Sequence, residues 1–150
     1  MKIAISNDHG GLNLKAALMK HLDEKGIEYI DFGYNAGGEE CPDYPDYALP
    51  ACKAVLCGEC DCGILICGTG IGMSIAANKV KGIRCGHCHD VFSARMTKMH
   101  NDANMIAFGE RVIGAGLMID IVDAYLSAEF MGGRHQRRVD KIKTIEDSEL

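Results

Sequence analysis

The chain has 150 residues, of which 47% are apolar and 25% charged, and a formal net charge of −5. That length fits a single domain over residues 1–150 with a core of its own, while the acidic balance argues against nucleic acid as a partner, which asks for a broad basic face. No apolar run is long enough to cross a bilayer and Met1–Asp8 lacks the apolar stretch of a signal peptide, so the expectation is a cytoplasmic protein with no membrane partner and its eight cysteines reduced.

Lys2–Asn7 reads as a short apolar strand, after which Leu12, Leu14, Ala17, Leu18 and Leu22 recur at helical spacing. Tyr29–Phe32 is a second strand, stopped by Gly33. A loop through Gly37–Glu40 leads to Asp43-Tyr44-Pro45-Asp46-Tyr47, and Ala48–Leu56 is predicted helical with Pro50 near its first turn. Ile64–Cys67, Ile83–Cys88 and Asn104–Phe108 are three further strands, each followed by a helical stretch: Met73–Lys79, Val91–Met99 and Leu117–Leu126. Such alternation predicts an α/β fold with three Rossmann-like layers, a five-stranded parallel sheet with helices on both faces. Gly132-Gly133 opens an extra C-terminal helix whose apolar stripe, Val139, Ile142 and Ile145, leans on another surface such as a second subunit.

In such a sheet ligands bind beyond the strand carboxyl ends, where the strand order reverses. If the first and third strands adjoin there, Asp8-His9-Gly10-Gly11 and Cys67-Gly68-Thr69-Gly70-Ile71-Gly72 converge on one crevice. The second segment carries the chemistry. A thiol at a strand end, facing glycine-freed amides and a helix N-terminus, sits where negative charge is favoured, so it can serve as a base or nucleophile. The bland alternative is a small buried hydrophobe beside a tight turn; Gly68-x-Gly70-x-Gly72 is neither a Walker loop nor a full dinucleotide fingerprint. Asp8 can equally be a helix cap, and His100-Asn101-Asp102 a helix C-terminus. Following one strand and preceding another, the two motifs are expected on the same sheet edge.

Cys57-x-x-Cys60 and Cys85-x-x-Cys88, with Cys62, His87 and His89 nearby, resemble two halves of a zinc site. Their separation exceeds ribbon spacing and encloses a whole strand, turn and helix, so no metal is assigned. The only concentrated basic patch is Gly132-Gly133-Arg134-His135-Gln136-Arg137-Arg138. Arg134 and Arg138, at i and i+4 on one helical face, suit a phosphate dianion, whereas Arg137 points elsewhere. The competing reading is a solvated surface with Asp140 and Glu146 as partners.

Taken together, Asp8-His9, Asp43-Tyr44-Pro45-x-Tyr47-Ala48, Cys67-Gly68-Thr69-Gly70-x-Gly72, Ser74–Lys79, Gly82-Ile83-Arg84, His100-Asn101-Asp102-x-Asn104, Phe108-Gly109-x-Arg111-Val112 and Gly132–Gln136 with Arg138-Val139 resemble type B ribose-5-phosphate isomerase, from residue 2 to about residue 145. The wider family also holds galactose-6-phosphate and allose-6-phosphate isomerases. The resemblance implies aldose-ketose interconversion of ribose 5-phosphate and ribulose 5-phosphate through a cis-enediolate, with neither cofactor nor metal. It makes Cys67 the base, Thr69 and His100 the pair that opens the furanose ring, and Asp8 and Asn101 contacts to sugar oxygens. His9, Arg111, Arg134 and Arg138 become phosphate holders, Tyr44 lines the sugar pocket, and the turn glycines Gly68, Gly70 and Gly72 cradle the substrate. It also implies sites drawn from both subunits of a homodimer, or of a dimer of dimers. Relatives with a glutamate base carry it directly after the glycine turn; here that position is Met73, which places the chain in the cysteine branch. A phosphate- or nucleotide-binding module without chemistry would need the turn and arginines but neither Cys67 nor His100.

Overall fold

The computed structural model describes residues 1–37 and 43–148. Of the loop expected through Gly37–Glu40, residues 38–40 lie outside these, as does Cys41. Five strands, β1 (Lys2–Asn7), β2 (Glu28–Asp31), β3 (Cys62–Cys67), β4 (Cys85–His87) and β5 (Met105–Gly109), form one sheet in the order β2-β1-β3-β5-β4. Every pairing is parallel. The helices are α1 (Leu12–Lys25), α2 (Tyr44–Leu56), α3 (Ile71–Asn78), α4 (Val91–Asn101), α5 (Ala115–Leu126) and α6 (Arg134–Asp147).

Strand side chains alternate between two cores, which is why the central strands read as unbroken apolar runs. Ile3, Ile5, Ile64, Ile66, Ile106 and Phe108 face α1, α4 and α5, where Leu14, Leu18, Leu22, Ala94, Met118, Ile121, Val122 and Tyr125 close over them. Ala4, Leu65, Cys67, Met105 and Ala107 face α2 and α3, against Ala48, Ala51, Cys52, Met73 and Ala77. Helix α6 stands outside both layers, packed on α4.

Two boundaries differ from expectation. Helix α2 starts at Tyr44 with Pro45 in its first positions, where a missing N–H costs nothing, and Pro50 therefore falls inside the helix. Strand β4 spans Cys85–His87 rather than Ile83–Cys88, and asparagine side chains bond the backbone at its start. Asn104 Oδ1 accepts from Arg84 N–H at 2.8 Å, and on the open edge Asn78 donates to Cys85 O at 2.9 Å and accepts from Cys85 N–H at 2.8 Å.

The described cysteines are free thiols. Burial pushes Cys52 and Cys88 up to about 11 and Cys62 up to about 12, and Cys85 higher still, so these side chains act as small hydrophobes. Cys57 alone among them is exposed. No group of three or more His, Cys, Asp or Glu among the described residues is placed to hold a metal ion, and no described helix is long and apolar enough to cross a membrane.

Candidate active site

Strands β1 and β3 are neighbours, with Asn7 opposite Ile66, so the loops that follow them do converge. Asp8 N–H extends the ladder onto Ile66 O at 3.2 Å, and its carboxylate accepts from Gly10 N–H at 2.7 Å, capping a short 3-10 turn over His9–Gly11. The cap reading of Asp8 is thus realised at the sheet edge where a ligand would sit. A Cβ on Gly10 would lie 2.8 Å from Gly68 N and one on Gly11 2.7 Å from Ile66 O, so glycine is required by the close approach of the two loops.

Cys67 is buried at the end of β3, paired with Gly109 of β5. Gly70, at φ +78°, turns the chain so that its N–H donates to Cys67 Sγ at 3.0 Å. Thr69 Oγ1 accepts from Ile71 N–H at 3.3 Å, leaving its own O–H free to donate elsewhere. Two amides expected to meet an anion are therefore committed within the turn. The Arg111 guanidinium lies against Gly68, 3.3 Å from where a Cβ would stand, and its backbone N–H donates to Gly68 O at 3.0 Å. The half-exposed Tyr44 ring covers Gly72 in the same way, at 3.0 Å. Asp8, His9, Tyr44, Cys67, Gly68, Thr69, Gly70, Gly72 and Arg111 thus gather at the carboxyl edge of the sheet.

His100, Asn101, Arg134 and Arg138 do not join them, and the expectation of a common edge is corrected here. A helix between parallel strands runs back against them, so α4 ends where β5 begins, and Met105 pairs with Gly63 and Cys85 at the amino edge. The four steps of β5 from Met105 to Gly109 alone span about 13 Å at the usual rise per residue. At this second edge the His100 ring stacks on His135, 4.2 Å between centroids and 3° between planes. His135 is buried, its Nδ1 has no partner, and Arg134 Nε donates to its Nε2 at 3.5 Å. Desolvation, His100 and the Arg134 and Arg138 charges hold the His135 imidazole below its ordinary pKa. Arg134 and Arg138 are exposed, while Asp140 and Glu146 accept from Gln136 and from Gly82 N–H instead.

Three residues at this edge were not assigned to it from the sequence. Glu110 accepts from Asn13 Nδ2 at 2.6 Å and from Leu14 N–H at 2.9 Å, capping α1, whose own N-cap is Gly11. It ties the segment bearing Arg111 to the one bearing His9. His87 Nε2 lies 2.8 Å from Thr69 O, and Gly109 N–H donates to His89 Nε2 at 3.0 Å, the two rings 4.5 Å apart. Their alternation at a strand end was the available signal, obscured by the zinc reading.

The ribose/galactose isomerase family model matches residues 3–142. Ribose-5-phosphate isomerase B of Escherichia coli is 52% identical over 145 residues, 97% of this chain and 96% of its own length. D-erythrulose-4-phosphate isomerase of Pectobacterium atrosepticum is 44% identical over 149 residues, 99% and 97% of the two chains. The solved structure of Clostridium thermocellum ribose-5-phosphate isomerase B matches with a TM-score of 0.91 at 55% identity, covering 97% of each chain.

Proposed function

The chain belongs to the ribose/galactose isomerase family, with the sequence and fold of a type B ribose-5-phosphate isomerase, and from that premise we propose that it interconverts ribose 5-phosphate and ribulose 5-phosphate with Cys67 as the base and no metal. The observation that carries the assignment of the base is the Gly70 N–H donating to Cys67 Sγ at the mouth of α3, beside the Asp8 loop. A donor aimed at sulfur favours its anionic form, and Met73, in the alternative position, is fully buried and has no proton to exchange.

In this reading the thiolate takes the proton from C2 of the open-chain aldose. Electrons move into the C1–C2 bond and onto O1; the O2 proton passes to O1, and as the carbonyl forms at C2 the thiol returns the carbon-bound proton to C1. Thr69, with an uncommitted O–H, and His100 open the furanose; Asp8 and Asn101 contact sugar hydroxyls while Gly68, Gly70, Gly72 and Tyr44 wall the pocket. His9, Arg111, Arg134 and Arg138 grip the phosphate, so binding energy at the far end positions the reacting carbons. Because His100, Asn101, Arg134 and Arg138 stand at the other sheet edge, each complete site takes them from a second copy. The protein works as a homodimer or a dimer of dimers.

The test is turnover of ribose 5-phosphate, allose 6-phosphate, galactose 6-phosphate and D-erythrulose 4-phosphate side by side, with chelator present, in wild type and Cys67→Ala. The expected result is the highest kcat/KM for ribose 5-phosphate, unaffected by chelator and lost in the variant. A higher value for one of the others would reassign the substrate, as the relative acting on D-erythrulose 4-phosphate illustrates.

A further inference from the structure

The peptide unit joining Thr69 to Gly70 has both of its polar ends in use. Its N–H, on Gly70, donates to Cys67 Sγ at 3.0 Å; its C=O, on Thr69, receives His87 Nε2 at 2.8 Å. A carbonyl can only accept, so this nitrogen of His87 carries the hydrogen. In a trans peptide the C=O and N–H point in opposite directions, so fixing one end fixes the other. We propose that His87 is a positioning residue for the proton transfer, anchoring the Thr69–Gly70 peptide so that its N–H stays aimed at the sulfur of Cys67.

The anchor is needed because the residue after this peptide is glycine. Rotating the plane changes ψ of Thr69 and φ of Gly70, and glycine accepts either sign of φ, so no side chain resists a flip. A flipped plane would present the Thr69 oxygen to Cys67 in place of a donor, disfavouring the thiolate. Packing confirms the tightness of the seat: a Cβ on Gly70 would stand 2.7 Å from the Phe108 backbone and 2.9 Å from His87 Cδ2. His89 supports the same seat from below. Its Nε2 accepts from Gly109 N–H, the residue on which Thr69 rests, and so carries no proton there. Desolvation and the neighbouring His87 lower the His89 imidazole pKa against the opposing pull of the Thr69 backbone and the Asp90 charge, in keeping with a neutral ring.

The inference rests on Cys67 being the base, and its test separates the two. His87 is exposed at the end of an edge strand, so His87→Leu and His87→Ala, which bracket the side chain's bulk without its donor, leave no buried void. His87→Gln keeps an N–H that reaches the carbonyl. Two quantities are read at pH 7: the rate of Cys67 carbamidomethylation by iodoacetamide, followed by peptide mass, and kcat with KM for ribose 5-phosphate. Leu and Ala are expected to slow alkylation and kcat together by about tenfold, the scale of one net hydrogen bond, with KM within about twofold, and Gln to restore both. Wild-type alkylation in both donorless variants would overturn the anchor whatever the enzyme does. A fall in kcat that Gln does not restore, or that KM shares equally, would also overturn it. Activity retained in Cys67→Ala would instead strike the base reading, leaving the alkylation result to decide the anchor.

Discussion

The two edges of the sheet are built by different means. At the carboxyl edge the backbone does most of the work: glycines let loops touch, amides cap Asp8 and reach Cys67, and the turn amides at Gly70 and Ile71 are engaged. The amino edge is made of side chains, exposed arginines on α6 and a histidine stack whose buried member keeps an orphan nitrogen. The first edge gathers Cys67 with a backbone donor; the second presents exposed positive charge. The two edges lie apart within one chain, and the proposed function needs them as two halves of one site completed between copies.

The sharpest break in that comparison is at the thiol. Cys67→Ala is expected to lower kcat by about a thousandfold or more, the range for a lost positioned base, with substrate binding largely kept. A loss below about tenfold would hand the proton to another group. The next test joins the edges. Mixing inactive Cys67→Ala with inactive His100→Ala and allowing subunits to exchange should recover about a quarter of wild-type activity, since half of random dimers are mixed and one of their two sites is intact. No recovery, with exchange verified, would place both residues in one chain's site.

His100→Ala alone should slow turnover of the cyclic sugar by about a hundredfold while C2 hydrogen exchange on the open-chain form falls much less, because only the first needs the anomeric proton moved. Equal losses would move His100 from ring opening into the transfer itself. Arg134→Ala and Arg138→Ala should each raise KM by about tenfold, as expected for one charge-assisted phosphate contact, with kcat changed less. Smallest of all, Arg137→Ala, off that helical face, should leave KM within about twofold. An Arg137 effect as large as that of Arg138 would dissolve the assigned face.

Much of this architecture follows from the sequence because a buried parallel sheet writes itself plainly: Ile64–Cys67 and Met105–Phe108 are apolar on both faces and closed by glycines. The Asp8 loop and the Cys67 turn could be brought together from topology alone. His100 was misplaced because position along the chain was read as position on the sheet, although a helix that follows a strand ends at the opposite edge. Pro50 looked like a first-turn residue because Pro45, five positions earlier, was not recognised as the start. His87, His89 and Glu110 act through backbone atoms of distant segments, and such partners leave no periodicity or motif behind.

The place of β4 in the sheet has a consequence for the growing chain. Among the described residues its one neighbour is β5, which is synthesised after it, so Cys85–His87 emerges before Met105–Gly109, the strand it joins. In the folded chain the Asn78 side chain, which precedes β4 in sequence, bonds the polar groups of Cys85. A strand only three residues long, with one edge bonded by an asparagine, offers little template for pairing with other nascent chains. By that rule, brevity at this edge limits mispairing while the sheet is still incomplete.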